Sequence, residues 1–208
     1  MNSAIRASSL RRTQVERKDD SEQKMIDAAI RLIAKKGMEG LTLGAVGIEA
    51  GYSRGLPSHH FGTKAELIRA VARTIKNKNF KDLASVTEGA LGLDGLKKLV
   101  AYYFERDSAG SDNSKTVMAL LCASLHDDFE TAEITREHIA YWCGRIQLLY
   151  EEAISLGQVN SELDVSAQAA LLFGTLRGTL LQFMVAPNQV SLVEASRALQ
   201  FNLDSIRL

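Results

Sequence analysis

Residues 42–67 read TLGAVGIEAGYSRGLPSHHFGTKAEL, and this stretch decides the fold of the N-terminal third of the chain. Thr42 is typical of a helix N-cap, because its hydroxyl can accept a hydrogen bond from a free amide of the first turn. Gly51 can adopt the positive φ that a tight turn needs, and Ser53 is a second candidate N-cap. Residues 42–61 therefore predict a helix, a tight turn and a second short helix.

This pattern is typical of a helix-turn-helix, in which the first helix braces the second and the second enters the major groove of DNA. Small residues at Gly47 and Ala50 would permit the close crossing of the two helices. Helix N-termini and basic side chains suit phosphate groups, and polar side chains of the second helix can reach bases. The candidate DNA-contacting residues are Thr42, Tyr52, Ser53, Arg54, Gly55, Ser58, His59, His60 and Lys64.

Pro57 is an unexpected residue in the second helix, because proline lacks an amide hydrogen and its ring crowds the preceding turn. It also pushes Leu56 toward extended geometry. Proline is tolerated at the start of a helix, so the second helix is expected to begin late, near Leu56 or Pro57. Residues 54–55 would then lie in a turn, and base contacts would fall on Ser58 and His59.

The net charge of zero conceals a division of charge along the chain. Residues 1–81 contain 16 Lys and Arg against 8 Asp and Glu, whereas residues 82–208 contain 9 against 17. A basic N-terminal third suits a polyanion, which the acidic remainder would repel. Chance clustering of solvated charges is the alternative, and the helix-turn-helix pattern argues against it.

Residues 1–18 carry basic side chains without apolar periodicity, and they are expected to form a disordered basic arm. Asp20 and Gln23 resemble a capping box for a first helix, and Thr63 with Glu66 resembles another at a later helix start. Apart from the short helices of the motif and the helix that Thr63 begins, helices are predicted at 20–36, 94–107, 113–128, 131–157, 164–186 and 190–206.

A segment rich in glycine and small residues, 84–95, suggests a domain junction. The chain is therefore expected to be all-α, with a three-helix DNA-binding domain at 19–81 and a helical ligand-binding and dimerisation domain at 82–208. The two cysteines and the polar N-terminus indicate neither a disulfide framework nor a signal peptide. The expected location is the cytoplasm.

The predicted helix 164–186 is apolar on two faces. One stripe consists of Val165, Ala169, Leu172, Leu176, Leu180 and Phe183, and the other of Ala167, Leu171, Gly174, Gly178 and Leu181. A membrane span is disfavoured, because Arg177 would lie at mid-membrane depth. One stripe can pack within the chain, and the other, with helix 190–206, can build a two-fold homodimer interface. The alternative is that both stripes are internal core.

Aromatic and polar residues of the larger domain could line a pocket for a small molecule. The candidate ligand-binding residues are Tyr102, Met118, Cys122, Trp142, Phe173, Arg177 and Gln182. Arg177 and Gln182 are polar residues at apolar positions, so burial would require a partner. Cys122 and His126 could share one face of a helix as metal ligands, but scattered thiols and a surface histidine are the favoured interpretation. No metal or cofactor is expected.

The stretch 42–67 resembles the signature of the TetR (tetracycline-repressor) family. The matching features are Thr42, the Ala-Gly-x-Ser turn, the glycine at 55, the His-Phe pair, Lys64 with Leu67, and the upstream Ala-Ala and Lys-Lys-Gly. The matching features lie within roughly the first 80 residues. The amino-acid sequence of the motif is most similar to that of family members resembling the choline-responsive repressor BetI. In the rest of the chain, only the order of the helices and the Gly-x-x-Arg-Gly stretch at 174–178 resemble the family. Pro57, Ser58 and Tyr52 depart from the family pattern.

The resemblance implies a regulator, in most cases a repressor, whose homodimer leaves a palindromic operator when a small molecule binds. The alternative is a helical ligand-binding protein or enzyme whose basic N-terminal head does not read DNA. No nucleophile–base pair, glycine-rich phosphate loop or cluster of metal ligands in the sequence favours catalysis. The chain is therefore not expected to be an enzyme.

Overall fold

The computed structural model describes residues 14–106, 111–125 and 132–208. These residues form nine helices and no strand, which confirms the all-α prediction. The helices are α1 (Gln14–Lys36), α2 (Leu43–Glu49), α3 (Leu56–Phe61), α4 (Lys64–Val86), α5 (Gly92–Glu105), α6 (Asp112–Ala123), α7 (Ala132–Ser155), α8 (Val165–Val185) and α9 (Leu192–Ser205).

Side-chain caps fix the beginnings of most helices. The predicted caps Thr42 and Thr63 each accept a hydrogen bond, at 3.1 Å, from the amide three residues further on. Further N-caps of the same kind are Ser111, Asp164 and Ser191. Each cap satisfies one of the free amides of a first turn, so these short polar side chains define where the helices start.

The predicted start of the first helix is wrong. Helix α1 already begins at Gln14, so Asp20 lies within it and pairs with Lys24 one turn later at 2.8 Å rather than capping the helix. Residues 14–18, predicted as part of the disordered arm, are helical, because they contain no glycine or proline to stop α1 from propagating toward the N-terminus by one hydrogen bond per residue. Residues 1–13 of the predicted arm lie outside the described residues.

Two apolar cores form on folding. The head core joins α1, α2, α3 and α4, and contains Met25, Ile33, Leu41, Val46, Leu67 and Val71. The second core joins α5, α7, α8 and α9, and contains Leu96, Leu99, Phe104, Ile146, Leu149 and Leu176. Helix α4 runs through the predicted boundary between residues 81 and 82, since its Leu83 is buried in the second core.

Helix α6 joins the larger domain to the head. Leu120 of α6 is buried in the head core, and the partly buried Val117 packs against that core as well. The hydroxyl of Thr116 donates a hydrogen bond to the carbonyl oxygen of Ile30 in α1 at 3.2 Å, and both groups are buried. A helix that follows the predicted junction in sequence therefore completes the packing of the N-terminal head.

The two stripes of α8 have different surroundings. Most of the first stripe, including Leu176 and Leu180, is buried in the second core. The second stripe is at the surface, with Leu171 65% and Leu181 46% exposed, so the prediction that it could be internal core is wrong for this chain. Across the described part of the chain, no helix has the length and apolar character needed to span a membrane.

Candidate nucleic-acid interface and interior cluster

Helix α3 begins late, as Pro57 predicts. Its first residue is Leu56, its N-cap Gly55 has no side-chain hydrogen bond, and Pro57 lies buried in the first turn. The expected capping by Ser53 is wrong, because proline keeps that position outside the helix; the carbonyl of Ser53 instead accepts from the Leu56 amide at 3.2 Å. Helix α3 has only six residues, Leu56–Phe61.

The crossing of α2 and α3 leaves no room for a side chain at Gly47. A Cβ atom placed there would lie 2.4 Å from the carbonyl oxygen of Ser53. The Gly47 carbonyl accepts from the Tyr52 amide at 2.8 Å, and Gly51 has a φ of 78°. Val46 is fully buried beneath the crossing. The turn is therefore held by backbone contacts that require two glycines.

Most of the predicted DNA-contacting residues lie at the surface of the head. The exposed ones are Thr42, Ser53, Arg54, Gly55, Ser58, His59 and Lys64. Tyr52 and His60 are partly buried: Tyr52 packs against the head core, and Nδ1 of His60 is buried without a hydrogen-bond partner. The exposed residues form a polar surface around α3. Tyr52 and His60 mainly pack beneath this surface and support it.

The charge of this surface favours phosphate. Residues 50–65 contain no Asp or Glu. The nearest acids on either side are already paired, because Glu49 accepts from Arg31 at 3.1 Å and Glu66 forms an ion pair with Arg69. Lys64 lies at the N-terminus of α4, where the helix dipole adds positive potential. The surface can therefore bind anions without a nearby carboxylate to repel them.

Lys64 also has a structural contact. Its ammonium donates to the carbonyl oxygen of Met38 at 2.9 Å, which connects the start of α4 to the turn after α1. An ammonium group has three donors, so this bond leaves donors for another acceptor. Ile48 of α2 is 55% exposed, because the buried side of α2 is centred on Val46.

A column of aromatic and guanidinium groups lies inside the larger domain. Phe173 and Trp142 are parallel, with ring centroids 5.4 Å apart and an interplanar angle of 7°. The Arg177 guanidinium lies 4.1 Å from the Phe173 centroid, and that of Arg106 lies 5.5 Å from the Trp142 centroid. Tyr103 meets both rings edge-on. These five residues are called the interior cluster below.

The predicted ligand-binding residues divide into two groups. Trp142, Phe173 and Arg177 belong to the interior cluster, and the half-buried Tyr102 and Met118 pack against the same core. Cys122 and Gln182 are exposed and lie outside the interior cluster, so their role in ligand binding stays a prediction. Both lie on helices whose apolar residues occur on more than one face, and periodicity could not decide which side points inward.

Sequence reasoning missed one member of the cluster, Arg106, and one residue beside it, His138. Arg106 follows Tyr102 and Tyr103 at helical spacing, and this spacing could have revealed its position. His138 is buried one turn before Trp142. Burial, and secondly the charge of Arg177, lower the pKa of His138 to about 3, so the imidazole is neutral near pH 7. The proposed ligand His126 lies outside the described residues, and those residues contain no group of metal ligands.

Burial shifts other groups of this region too. It lowers the pKa of Arg177, against the opposing influence of the Tyr103 hydroxyl and the Cys143 thiol. Burial raises the pKa of Tyr102, although the neighbouring guanidinium of Arg106 acts in the opposite direction. The low polarity of the site thus makes charge costly, and it strengthens any hydrogen bond formed there.

Known proteins resemble the chain over most of its length. The family model described as bacterial regulatory proteins, tetR family, matches residues 25–71. The probable HTH-type transcriptional regulator ArpR of Pseudomonas putida is 27% identical over 205 residues, which cover 96% of this chain and 97% of ArpR. The HTH-type transcriptional regulator BetI of Burkholderia ambifaria is 31% identical over 164 residues, covering 75% of this chain and 80% of BetI.

A solved structure has the same fold. SmeT, the repressor of the Stenotrophomonas maltophilia multidrug efflux pump SmeDEF, superposes in its triclosan complex with a TM-score of 0.75 at 21% identity, covering 91% of this chain and 92% of SmeT. The curated relatives are transcriptional regulators and not enzymes. With the BetI match, the tetR family match and the helix-turn-helix surface of the head, the chain belongs to the tetR family of bacterial regulatory proteins and is a DNA-binding transcriptional regulator.

Proposed function

We propose that the chain acts in the cytoplasm as a homodimeric repressor, which leaves a palindromic operator when a small molecule binds the larger domain. The observation that carries the DNA-binding part is the exposed polar surface of α3 within a stretch, residues 50–65, that has no acidic residue. Because α3 starts at Leu56, Ser58 and His59 are the side chains proposed to reach bases. Lys64 and the N-terminus of α4 are proposed to hold phosphate.

The proposed dimer uses the exposed apolar side of α8 and α9. Leu171 and Leu181 of α8 are exposed, as are Val193 (59%) and Phe201 (72%) of α9. A Cβ atom at Gly178 would meet no other atom within 4 Å, so the helix surface is flat enough for a second helix to approach closely. Apolar area of this kind is costly in water, and a second copy of α8 and α9 would bury it.

The proposed signal passes through α7 to α4. The hydroxyl of Tyr141 donates to the carbonyl oxygen of Phe80 at 3.2 Å, and the two rings stack with centroids 3.5 Å apart. One turn away, Lys76 pairs with Glu137 at 2.6 Å. Trp142 directly follows Tyr141, so a ligand that moves Trp142 would also move the contacts that hold α4.

Helix α4 is continuous from the larger domain into the head, and its Lys64 end lies beside α3. A small rotation of α4 would therefore change the separation of the two reading helices in a dimer. A coupling free energy of about 1–3 kcal/mol between ligand and operator would be enough for induction. SmeT, a repressor of the same fold that binds triclosan, supports this type of regulation.

Selection from random-sequence DNA tests the proposal. The purified protein is incubated with a random duplex library, and the bound fraction is sequenced. We expect an enriched inverted repeat, since a two-fold dimer reads two equal half-sites. The variant Ser58→Ala with His59→Ala should enrich none, whereas Gln189→Ala, in the loop after α8, should enrich the same repeat. Failure of the wild-type chain to enrich any repeat would instead favour a ligand-binding protein that does not read DNA.

A further inference from the structure

The interior cluster contains a buried positive charge without a matching negative one. Atom Nη2 of Arg177 is buried and has no hydrogen-bond partner. Within residues 14–106, 111–125 and 132–208, no carboxylate forms an ion pair with Arg177; its neighbours are Tyr103, Cys143 and the second guanidinium of Arg106. Leaving a guanidinium donor unpaired in an apolar interior is strongly unfavourable. The arrangement is better suited to a second state in which an acceptor is bound.

Trp142 provides a second unpaired donor at the same place. Its side chain is fully buried, and atom Nε1 has no acceptor. An indole nitrogen can only donate, as can a guanidinium. Both residues lie against the same ring of Phe173, Trp142 by parallel stacking and Arg177 through its guanidinium. Both unsatisfied donors lie on residues that contact the same ring, and a ligand with two acceptor oxygens could satisfy both.

The surrounding groups make a positively charged ligand unfavourable. Arg106 lies over Trp142, and the buried His138 remains neutral beside the two arginines. Asp82 interacts with Tyr102 and is not among the groups that act on Arg177. The other groups close to Arg177 are the Phe173 ring, the Cys143 thiol and the Tyr103 hydroxyl, which shares a hydrogen bond with the guanidinium, so few donors remain for a large, highly charged group.

A polar cleft, whose lining also includes Asp82, meets this cluster at Arg106. It lies between α4, α5 and α6, encloses about 540 Å³ of space open in part to solvent, and is lined by Lys78, Asn79, Tyr102, Arg106 and Asn113 among others. Arg106 belongs both to the cleft and to the interior cluster, because it also lies over Trp142. Arg106 thus places a positive charge between the cleft and the aromatic rings.

We propose that the effector of this regulator is an organic monocarboxylate with an apolar body. Its carboxylate accepts hydrogen bonds from Nη2 of Arg177 and Nε1 of Trp142, and its body packs on Phe173 and Tyr103. A planar carboxylate matches the guanidinium fork and needs little desolvation compared with a phosphate. The inference rests on the proposed function, since it identifies the chemical class of the molecule that would release the operator.

The only tryptophan of the chain is Trp142, so intrinsic tryptophan fluorescence reports directly on this site. We would titrate the full chain with octanoate and with 4-phenylbutanoate, and with the corresponding neutral amides. Both amides have the shape of the acids but no charge. The expected result is a saturable change with the acids, at dissociation constants about tenfold or more below those of the amides. Equal affinity of acid and amide, or no saturable change with either acid, would overturn the proposal.

The variant Arg177→Met separates a ligand-binding arginine from a structural one. It should abolish the preference for acid over amide, and its melting temperature without ligand should not fall, because an unpaired buried charge has been removed. Arg197→Met is the matched control, since Arg197 is 71% exposed on α9 and should keep the wild-type preference. A lower melting temperature together with an unchanged acid preference in Arg177→Met would show a structural arginine and refute the assignment.

The titration involves no DNA, so the two proposals can fail separately. If random-sequence selection enriches no repeat while acid binding depends on Arg177, the site assignment stands and the repressor proposal falls. If a repeat is enriched but the acids bind no better than the amides, the carboxylate proposal falls and the repressor proposal stands. Addition of octanoate to the operator complex then tests the link between them, and we expect release only for chains that retain Arg177.

Discussion

Replacement of Gly47 by alanine adds only one methyl group, but it should substantially disturb the geometry of the helix-turn-helix. Gly47 lies in α2 where the turn into α3 crosses it, and an added Cβ would lie 2.4 Å from the Ser53 carbonyl oxygen. Ordinary contacts of a Cβ begin near 3.4 Å, so the turn must move by roughly 1 Å. That turn leads directly into Leu56 and the rest of α3, so the displacement is carried to the surface proposed to contact bases.

Two opposing effects set the size of the change. Forcing an extra methyl into a closely packed crossing costs about 1–3 kcal/mol, while alanine favours a helix over glycine by about 1 kcal/mol. The free energy of unfolding should therefore fall by up to about 2 kcal/mol. Operator binding should suffer as well, since each specific base contact that is lost weakens it by about 1–3 kcal/mol.

Gly44→Ala is the matched control, because its Cβ would lie 4.0 Å from the nearest atom, the Cβ of Arg54. It makes the same chemical change in the same helix without the clash, and it should raise the melting temperature. Thermal unfolding and operator titration at one fixed salt concentration would be measured for both variants. If Gly47→Ala were as stable as Gly44→Ala and bound DNA like the wild type, the crossing would not be as tight as described.

Lys64→Ala should reduce specific and non-specific DNA binding alike, and should flatten the plot of log K against log salt by about one unit, since one phosphate contact is lost. Gly178→Arg should convert the proposed dimer to monomers in sedimentation, because a long charged side chain enters the α8 surface; Gln189→Arg is the control. His138 is neutral in the folded chain with a pKa of about 3, against about 6.5 when unfolded. Between these values the unfolded state binds more protons, so stability is lost as the pH falls, by up to about 1.4 kcal/mol per pH unit. His138→Gln should remove this component of acid unfolding in urea titrations at several pH values, whereas His59→Gln should retain it.

Contrary results would be informative in each case. An unchanged salt dependence would exclude Lys64 from the phosphate contacts. An intact dimer of the Gly178→Arg chain would place the subunit interface elsewhere. The same acid dependence in His138→Gln as in the wild type would mean that His138 becomes accessible to protons before the chain unfolds.

Local chemistry explains which parts of the fold could be predicted from the sequence. Thr42 and Thr63 cap helices as expected, because a cap depends only on the next few residues. The same argument failed for Ser53, since Pro57 four residues later excluded that position from the helix. The late start of α3 was predictable because both effects of proline act on its immediate neighbours.

Long-range packing explains what the sequence could not predict. Nothing local indicates that Leu120 belongs to the head core, because it is separated from α1 by more than two helices in sequence. The interior cluster combines Arg106 from α5, Trp142 from α7 and Arg177 from α8, and only their packing brings these groups together. The exposure of Gln182 was unpredictable for a related reason, since α8 is apolar on both the buried and the exposed side.

The docking of α6 into the head has a consequence for modular engineering. A chimera that transplants the reading head of this protein onto a foreign sensor, with the cut made after α4, would leave behind Leu120 and the hydroxyl of Thr116. The graft would expose part of an apolar core and free the carbonyl oxygen of Ile30. The recipient must therefore supply a helix equivalent to α6, or α6 must be transferred together with the head. The exchangeable unit of this regulator is thus discontinuous in sequence.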